Sequence, residues 1–257
     1  MLTLLGQWTK ASLADLQGYV LLSWRTLRAS VTRPFYLHDV VEQFEQIGVG
    51  SLTVVLLTGF FTGAVLALQS GITLDQFGAR SLVGRLVGAS MILELGPVLT
   101  ALMITGRVGS SIAAELGSME VTEQINALRA LGTDPVRKLV VPRVLAGFFM
   151  VPVLTVIADF VGVAGGWVIA HFQMGIASGV YWNSVTSGLF WQDPWVGITK
   201  PFFLGFVIVT IACHVGLNVS GGTQGVGRAT TRAVVRASIA VLAVDFFLTK
   251  LMVFLFY

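Results

Sequence analysis

Five ionisable side chains fall inside or at the edges of long apolar runs: Glu94, Arg107, Asp159, Lys200 and Asp245. A charge in hydrocarbon costs about 2.5–3.5 kcal/mol on insertion scales, so each must face a cavity, a partner or the membrane edge. Glu94 stands just before Gly96-Pro97. A proline there interrupts the helical ladder and frees backbone carbonyls. An unpaired carboxylate beside that break requires water, a donor or a ligand headgroup. Its two readings are a headgroup-facing group and a buried packing group. For Asp159 and Asp245 a structural, hydrogen-bonded role is expected, and for Arg107 a place at the membrane edge. His38, His171 and His214 are isolated, without metal-ligand spacing. Cys213 is the single cysteine, which rules out an internal disulfide. Lys10, Lys138, Lys200 and Lys250 are not preceded by glycine, so the chain has no phosphate-binding loop. We therefore assign the chain no catalytic residue, no metal and no cofactor of its own.

A second chemistry-bearing stretch is Ser118–Leu131. It reads as one short helix, with Ser118 as N-cap and Glu120 and Glu123 in the first turn. Arg129 lies in the last turn and Gly132 follows as C-cap. Val121, Ile125 and Leu128 make one apolar stripe too short to span a membrane. Such a helix either lies on the bilayer or docks on a partner.

The elements that position these residues follow from composition. Of 257 residues 55% are apolar and 11% charged, with a net charge of +3 and a mean hydropathy of +0.83. Soluble domains carry about 25% charged residues. A soluble enzyme, a disordered chain and a nucleic-acid binder are excluded. Runs long enough to cross roughly 30 Å of hydrocarbon place spans at Ile47–Leu68, Leu82–Thr105, Val144–His171, Pro201–Leu217 with its flanks, and Ala237–Phe256. Strands are excluded by run length and the lack of two-residue alternation. The fold expected is all-α and integral to the membrane. Gly59/Gly63, Gly84/Gly88 and Gly162/Gly166 have the spacing of close helix packing within one subunit.

Residues 1–46 differ. Leu5, Trp8, Leu13, Leu16, Val20, Trp24 and Leu27 form a broad apolar face, with Lys10, Arg25 and Arg28 among them. This predicts an interfacial helix ended by Pro34. Val40, Val41, Phe44 and Ile47 recur at helical spacing and lead into the first span. The stretch lacks the order of a cleavable signal. Residues 1–46 are thus an interfacial and elbow segment, and 47–257 a five-span domain.

Basic residues set the orientation. Segments 1–47, 107–143 and 218–236 hold Lys10, Arg25, Arg28 and Arg33, then Arg107, Arg129, Arg137, Lys138 and Arg143, then Arg228, Arg232 and Arg236. Opposite segments hold Arg80, Arg85, Lys200 and Lys250. This predicts a cytoplasmic N-terminus and an outer C-terminus, with Tyr181, Trp182, Trp191 and Trp195 as an outer aromatic belt.

Glu123 … Gly132 … Pro142 resembles the coupling loop of bacterial ABC permeases. The longer text is more specific: Leu93-Glu94-Leu95-Gly96-Pro97, Gly106-Arg107-Val108-Gly109, Ala114-Glu115-Leu116-Gly117, Thr122-Glu123-Gln124, Gly132-Thr133-Asp134-Pro135 and Val141-Pro142-Arg143. Together with Gly59–Gln69, Arg228–Arg232 and Leu242–Phe246, these resemble the MlaE family over roughly residues 40–257. Members are permease subunits of ABC transporters that move phospholipid between bacterial membranes and maintain outer-membrane lipid asymmetry. The resemblance implies a five-span homodimer in the inner membrane, with a cytoplasmic ATPase subunit carrying ATP and Mg. It also implies a periplasmic MCE-domain partner and, as an optional companion, a STAS-domain protein. By the same resemblance Glu94, Leu66, Thr73 and Phe77 line a lipid cavity, and Glu120, Glu123, Ile125, Leu128, Arg129 and Gly132 form the ATPase-coupling helix. The family's usual Arg before Glu-Leu-Gly-Pro is Leu93 here. Glu94 thus lacks that neighbour as an ion partner and is expected to be partly protonated, with Glu94→Gln mild and Glu94→Lys harming transport more than assembly.

The alternatives are an autonomous carrier using Glu94, Asp159 and Asp245 as a proton relay, a non-transporting scaffold, and an importer of sterol or another lipid. An odd number of spans makes the repeat architecture of secondary carriers harder to build.

Overall fold

The computed structural model describes residues 2–32 and 36–256. Arg33 and Pro34 lie outside them, as do the side chains of Leu5 and Trp8. The described residues form eleven α-helices, with short 3₁₀ and π turns and no strand. They are α1 Leu2–Val31, α2 Leu37–Ile47, α3 Leu52–Asp75, α4 Val83–Ser90, α5 Gly96–Ile104, α6 Ser110–Val121, α7 Gln124–Ala130, α8 Val141–Phe172, α9 Ser178–Gly188, α10 Asp193–Leu217 and α11 Gly222–Phe256. Five stretches are long and apolar enough to cross a membrane: Leu37–Asp75, Arg80–Val121, Val136–Phe172, Asp193–Leu217 and Gly222–Phe256. All five expected spans are present, and each is longer than its apolar run. Helix propagation costs little once begun, so polar flanks continue the rod.

Four expectations are corrected. The second span does not end at Thr105: π turns at Met91–Leu95 and Thr105–Gly109 join α4, α5 and α6 into a helical rod ending at Val121. Ser118 therefore lies inside α6 and is not an N-cap; its carbonyl accepts the Thr122 N–H at 3.0 Å. Residues 222–236, read as loop, already belong to α11. Finally, Tyr181 is no belt residue: it is buried in α9 and its hydroxyl donates to the Val163 carbonyl at 2.9 Å. Trp191 and Trp195 are exposed as expected.

The chain divides into two compact units. The first gathers Met1–Phe44, Thr105–Gly147 and Phe206–Ala240. In it Asp15 of α1 binds His214 Nε2 at 2.9 Å and Arg236 Nη1 at 2.7 Å, and the Tyr19 hydroxyl meets that of Thr210 at 3.1 Å. These polar clips hold one face of α1 to Arg236 of α11 and to the last turns of α10. Arg143, nearly buried, donates to the Leu139 carbonyl at 2.7 Å and pairs with Glu115 at 2.8 Å.

The second unit holds Glu45–Ile104, Phe148–Gly205 and Val241–Tyr257. Its core packs Ala67, Val83, Val87, Met91, Val163 and Tyr181. The glycine pairs act as expected, inside one subunit. A Cβ on Gly63 would lie 1.8 Å from the Gly162 carbonyl oxygen, and one on Gly59 would lie 2.8 Å from that of Ala158. Helices α3 and α8 therefore touch backbone to backbone, which only small residues allow.

Candidate functional site

The second unit positions Glu94 on the π turn Met91–Leu95. Pro97 has no N–H to offer the carbonyl four residues back, that of Leu93. The missing donor is supplied by a side chain: Lys200 Nζ lies 2.7 Å from Leu93 O. The same ammonium lies 2.8 Å from Glu94 Oε1 and 2.7 Å from Thr249 Oγ1. An ammonium has three N–H donors, and all three find acceptors. Asp245 Oδ1 stands 3.7 Å away and adds charge without a hydrogen bond. Lys200 is fully buried, whereas the Glu94 side chain is 44% exposed.

Local sequence explains the geometry. Gly197 lies one turn before Lys200, and a Cβ there would come within 2.4 Å of the Ile92 carbonyl. Its absence lets α10 approach the π turn closely enough for a lysine to reach Leu93. Asp245 and Thr249 are four apart on α11 and so share one face. The Thr249 hydroxyl in turn donates to Glu94 Oε1 at 3.1 Å. Asp159 is separate: its buried Oδ1 has no hydrogen-bond partner and lies against Gly96, where a Cβ would fall 1.6 Å from it.

The donor that Glu94 was expected to need is thus a side chain of the same protein. The neighbouring Arg is absent, but Lys200 compensates from 106 residues away. Lys200, counted as an outer-segment lysine, is instead a buried member of this cluster. Sequence reasoning missed Thr249 altogether. A signal for Lys200 existed: two carboxylates in apolar spans demand a cation, and Lys200 precedes Pro201 inside a third span. Leu66 and Thr73 lie on α3, seven residues apart, and Phe77 lies in the turn that follows it. Leu66 is half-buried beside the core, Thr73 is exposed with its hydroxyl on Gln69 O at 3.1 Å, and Phe77 is 78% exposed. Glu94's polar partners come from α10 and α11 and not from these three residues.

In the first unit the expected single helix is two. After α6 the chain breaks at Thr122-Glu123, and Glu123 adopts φ 60°, the one positive φ of a non-glycine among the described residues. A side chain in that region costs about 1–2 kcal/mol. The Glu123 carboxylate accepts from Asn126 Nδ2, and Asn126 Oδ1 accepts from Arg129 Nη1 at 2.8 Å. Gly132 ends α7 as expected, at φ 76°. Thr133 N–H bonds Leu128 O and Gly132 N–H bonds Arg129 O, both at 3.0 Å, closing a Schellman motif. The apolar stripe faces inward: Ile125 is fully buried and Leu128 half-buried. Ile125 is therefore a core residue and not a contact for a partner. The outward surface is Glu123, Ala127, Arg129 and Leu131, the last 80% exposed. Glu120 is half-buried, with one carboxylate oxygen lacking a hydrogen-bond partner.

The family model described as permease MlaE matches residues 40–251, which reaches into all five spans. The chain is 43% identical over 234 residues to a probable ABC transporter permease protein of Rickettsia conorii, covering 91% of this chain and 90% of that protein. It is 42% identical over 214 residues to a probable ABC transporter permease protein of Synechocystis, covering 83% and 81%. It is 37% identical over 236 residues to the intermembrane phospholipid transport system permease protein MlaE of Haemophilus influenzae, covering 91% and 90%.

Proposed function

Since this chain belongs to the MlaE permease family, we propose that it is the membrane-spanning subunit of an ABC transporter that moves phospholipid. The observation that carries this reading is the family match across residues 40–251, which reaches into every span. The relative from Haemophilus influenzae is named for intermembrane phospholipid transport. Lipid would pass between the inner membrane and a periplasmic MCE-domain partner, with a STAS-domain protein as a further companion.

Two copies would form the working unit. Spans α3 and α11 contain the least buried apolar windows of the five, which leaves faces for a second copy and for lipid. In this reading acyl chains are held by apolar burial, about 0.8 kcal/mol per CH₂. The half-exposed Glu94 carboxylate, held from behind by Lys200, meets the headgroup end, with Leu66, Thr73 and Phe77 along the wall. ATP and Mg belong to a cytoplasmic ATPase subunit docked on the Glu123 kink and the outward side of α7. With Lys200 buried, the segments opposite to that surface keep Arg80, Arg85 and Lys250, which supports a cytoplasmic N-terminus and a periplasmic C-terminus.

The test is reconstitution of the permease with its ATPase and MCE partners in proteoliposomes. Labelled phospholipid should reach the MCE protein, or leave it, only with hydrolysable ATP. Movement that persists without the ATPase and responds to a proton gradient would overturn the reading in favour of an autonomous carrier.

A further inference from the structure

Helix α1 has two working faces. One buries Thr26 and carries the Asp15 and Tyr19 clips. The other exposes Leu13, Leu16, Val20, Trp24, Leu27 and Val31. A helix clipped on one face and apolar on the opposite, exposed face lies with that stripe among acyl chains. At 3.6 residues per turn, Arg28 projects about 75° and Arg25 about 135° from the stripe's centre, both on the same side of it. That flank is the level at which basic side chains reach phosphates.

On this flank α1 meets the segment that opens the π turn Val136–Val140. An open groove of about 370 Å³ lies there, lined by Arg25, Arg28, Thr32, Asp134 and Arg137 among others. Among the described residues, neither Arg25 nor Arg28 pairs with a carboxylate. The groove's one carboxylate, Asp134, accepts the Val136 N–H at 3.0 Å and stands 3.7 Å from Arg137 Nε. Three guanidiniums against one carboxylate leave a net positive groove. Guanidinium forks match phosphate oxygens two at a time, which a lysine cannot do.

We propose that this groove binds the phosphate of an anionic glycerophospholipid whose acyl chains lie along the apolar stripe of α1. The continuity of groove and stripe favours a lipid over a free phosphate. The site is distinct from Glu94 and its lipid is a resident, fixing α1 to the membrane, not cargo.

The experiment uses the full-length protein in nanodiscs without ATP, so it does not depend on transport. A phosphatidylglycerol analogue with a diazirine in its acyl chain is photolysed, and labelled peptides of residues 13–32 are quantified. The phosphatidylglycerol probe should label this stretch well above a phosphatidylcholine probe of the same chain, and excess inorganic phosphate should not compete. Arg25→Gln/Arg28→Gln/Arg137→Gln should reduce labelling by about fivefold per arginine, as a loss of about 1 kcal/mol per basic residue at an anionic surface implies. The triple Arg→Lys variant should fall between. Arg28 is exposed, so Arg28→Gln alone keeps the fold and should show its own loss even where the triple variant does not assemble. Equal labelling by both probes, or labelling untouched by Arg28→Gln, overturns the proposal. Suppression by inorganic phosphate assigns the groove to a soluble anion and overturns the lipid.

Discussion

Lys200 Nζ lies 2.8 Å from Glu94 Oε1 and 2.7 Å from Leu93 O, so one buried ammonium neutralises a carboxylate and caps the carbonyl that Pro97 orphans. Lys200→Met removes both functions at once and leaves Glu94 and Asp245 facing each other. A loss of about 3–5 kcal/mol is expected, as for other broken buried pairs. The readout is folded yield and apparent Tm in detergent. Unchanged values for Lys200→Met would falsify the structural importance of the cluster.

Glu94→Lys sets a second ammonium beside the first and should prevent assembly, reversing the expectation that transport suffers first. Glu94→Gln keeps an acceptor for Lys200 and Thr249 but turns a charged bond into a neutral one, costing about 1 kcal/mol. In combination with Lys200→Met the two losses should fall short of their sum by about 1 kcal/mol or more. Strict additivity in paired melts would mean that the two residues act independently.

Burial separates folding from docking on α7. Ile125→Asp places a charge in a fully buried position and should abolish folded protein. Ala127→Asp and Leu131→Asp alter the outward surface and should leave yield intact while lowering ATPase co-purification at least tenfold. Glu123→Gly relieves the positive φ and should change stability by no more than about 1 kcal/mol. Full ATPase recovery with Leu131→Asp would remove α7 from the docking surface.

Topology is open to labelling because Ser187 and Thr223 are exposed and Cys213 is fully buried. In a Cys213→Ala background, Ser187→Cys should react with an impermeant maleimide from the periplasm and Thr223→Cys should not. The reverse pattern would invert the assignment.

Partial burial raises the Asp15 carboxyl, but the hydrogen bond with His214 and the charge of Arg236 outweigh it, and the group titrates below the usual carboxylate range. A lowered folded-state value stabilises above the unfolded value and is lost as pH falls through the folded one. The α1 clip should therefore hold at neutral pH and release only below about pH 4. Hydrogen exchange over residues 13–32 checks this; release near pH 6 would contradict it.

The spans were legible because apolar length is a one-dimensional property. So were the packing glycines, whose four-residue spacing marks one helix face. Gly132 was legible as a C-cap, since its positive φ suits glycine. The Ser118 boundary was not: nothing in Ser118–Leu131 announces that Glu123, an ordinary helix former, takes a left-handed conformation and breaks the segment. Nor does periodicity tell inward from outward, so the stripe containing Ile125 read as a docking or bilayer-facing surface although Ile125 is core. The partner of Glu94 escaped because it depends on which helices become neighbours. The local text around Leu93 could report only what was missing.

The clip on α1 also dictates an order of assembly. Asp15 leaves the ribosome 199 residues ahead of His214, and Arg236 follows later still. At about 5–20 residues per second, α1 waits roughly 10–40 s before its polar partners exist. Until the segment Asp134–Arg137 emerges beside it, its exposed stripe is the attachment that α1 has, and the nascent chain is tethered by lipid before it is clipped by protein.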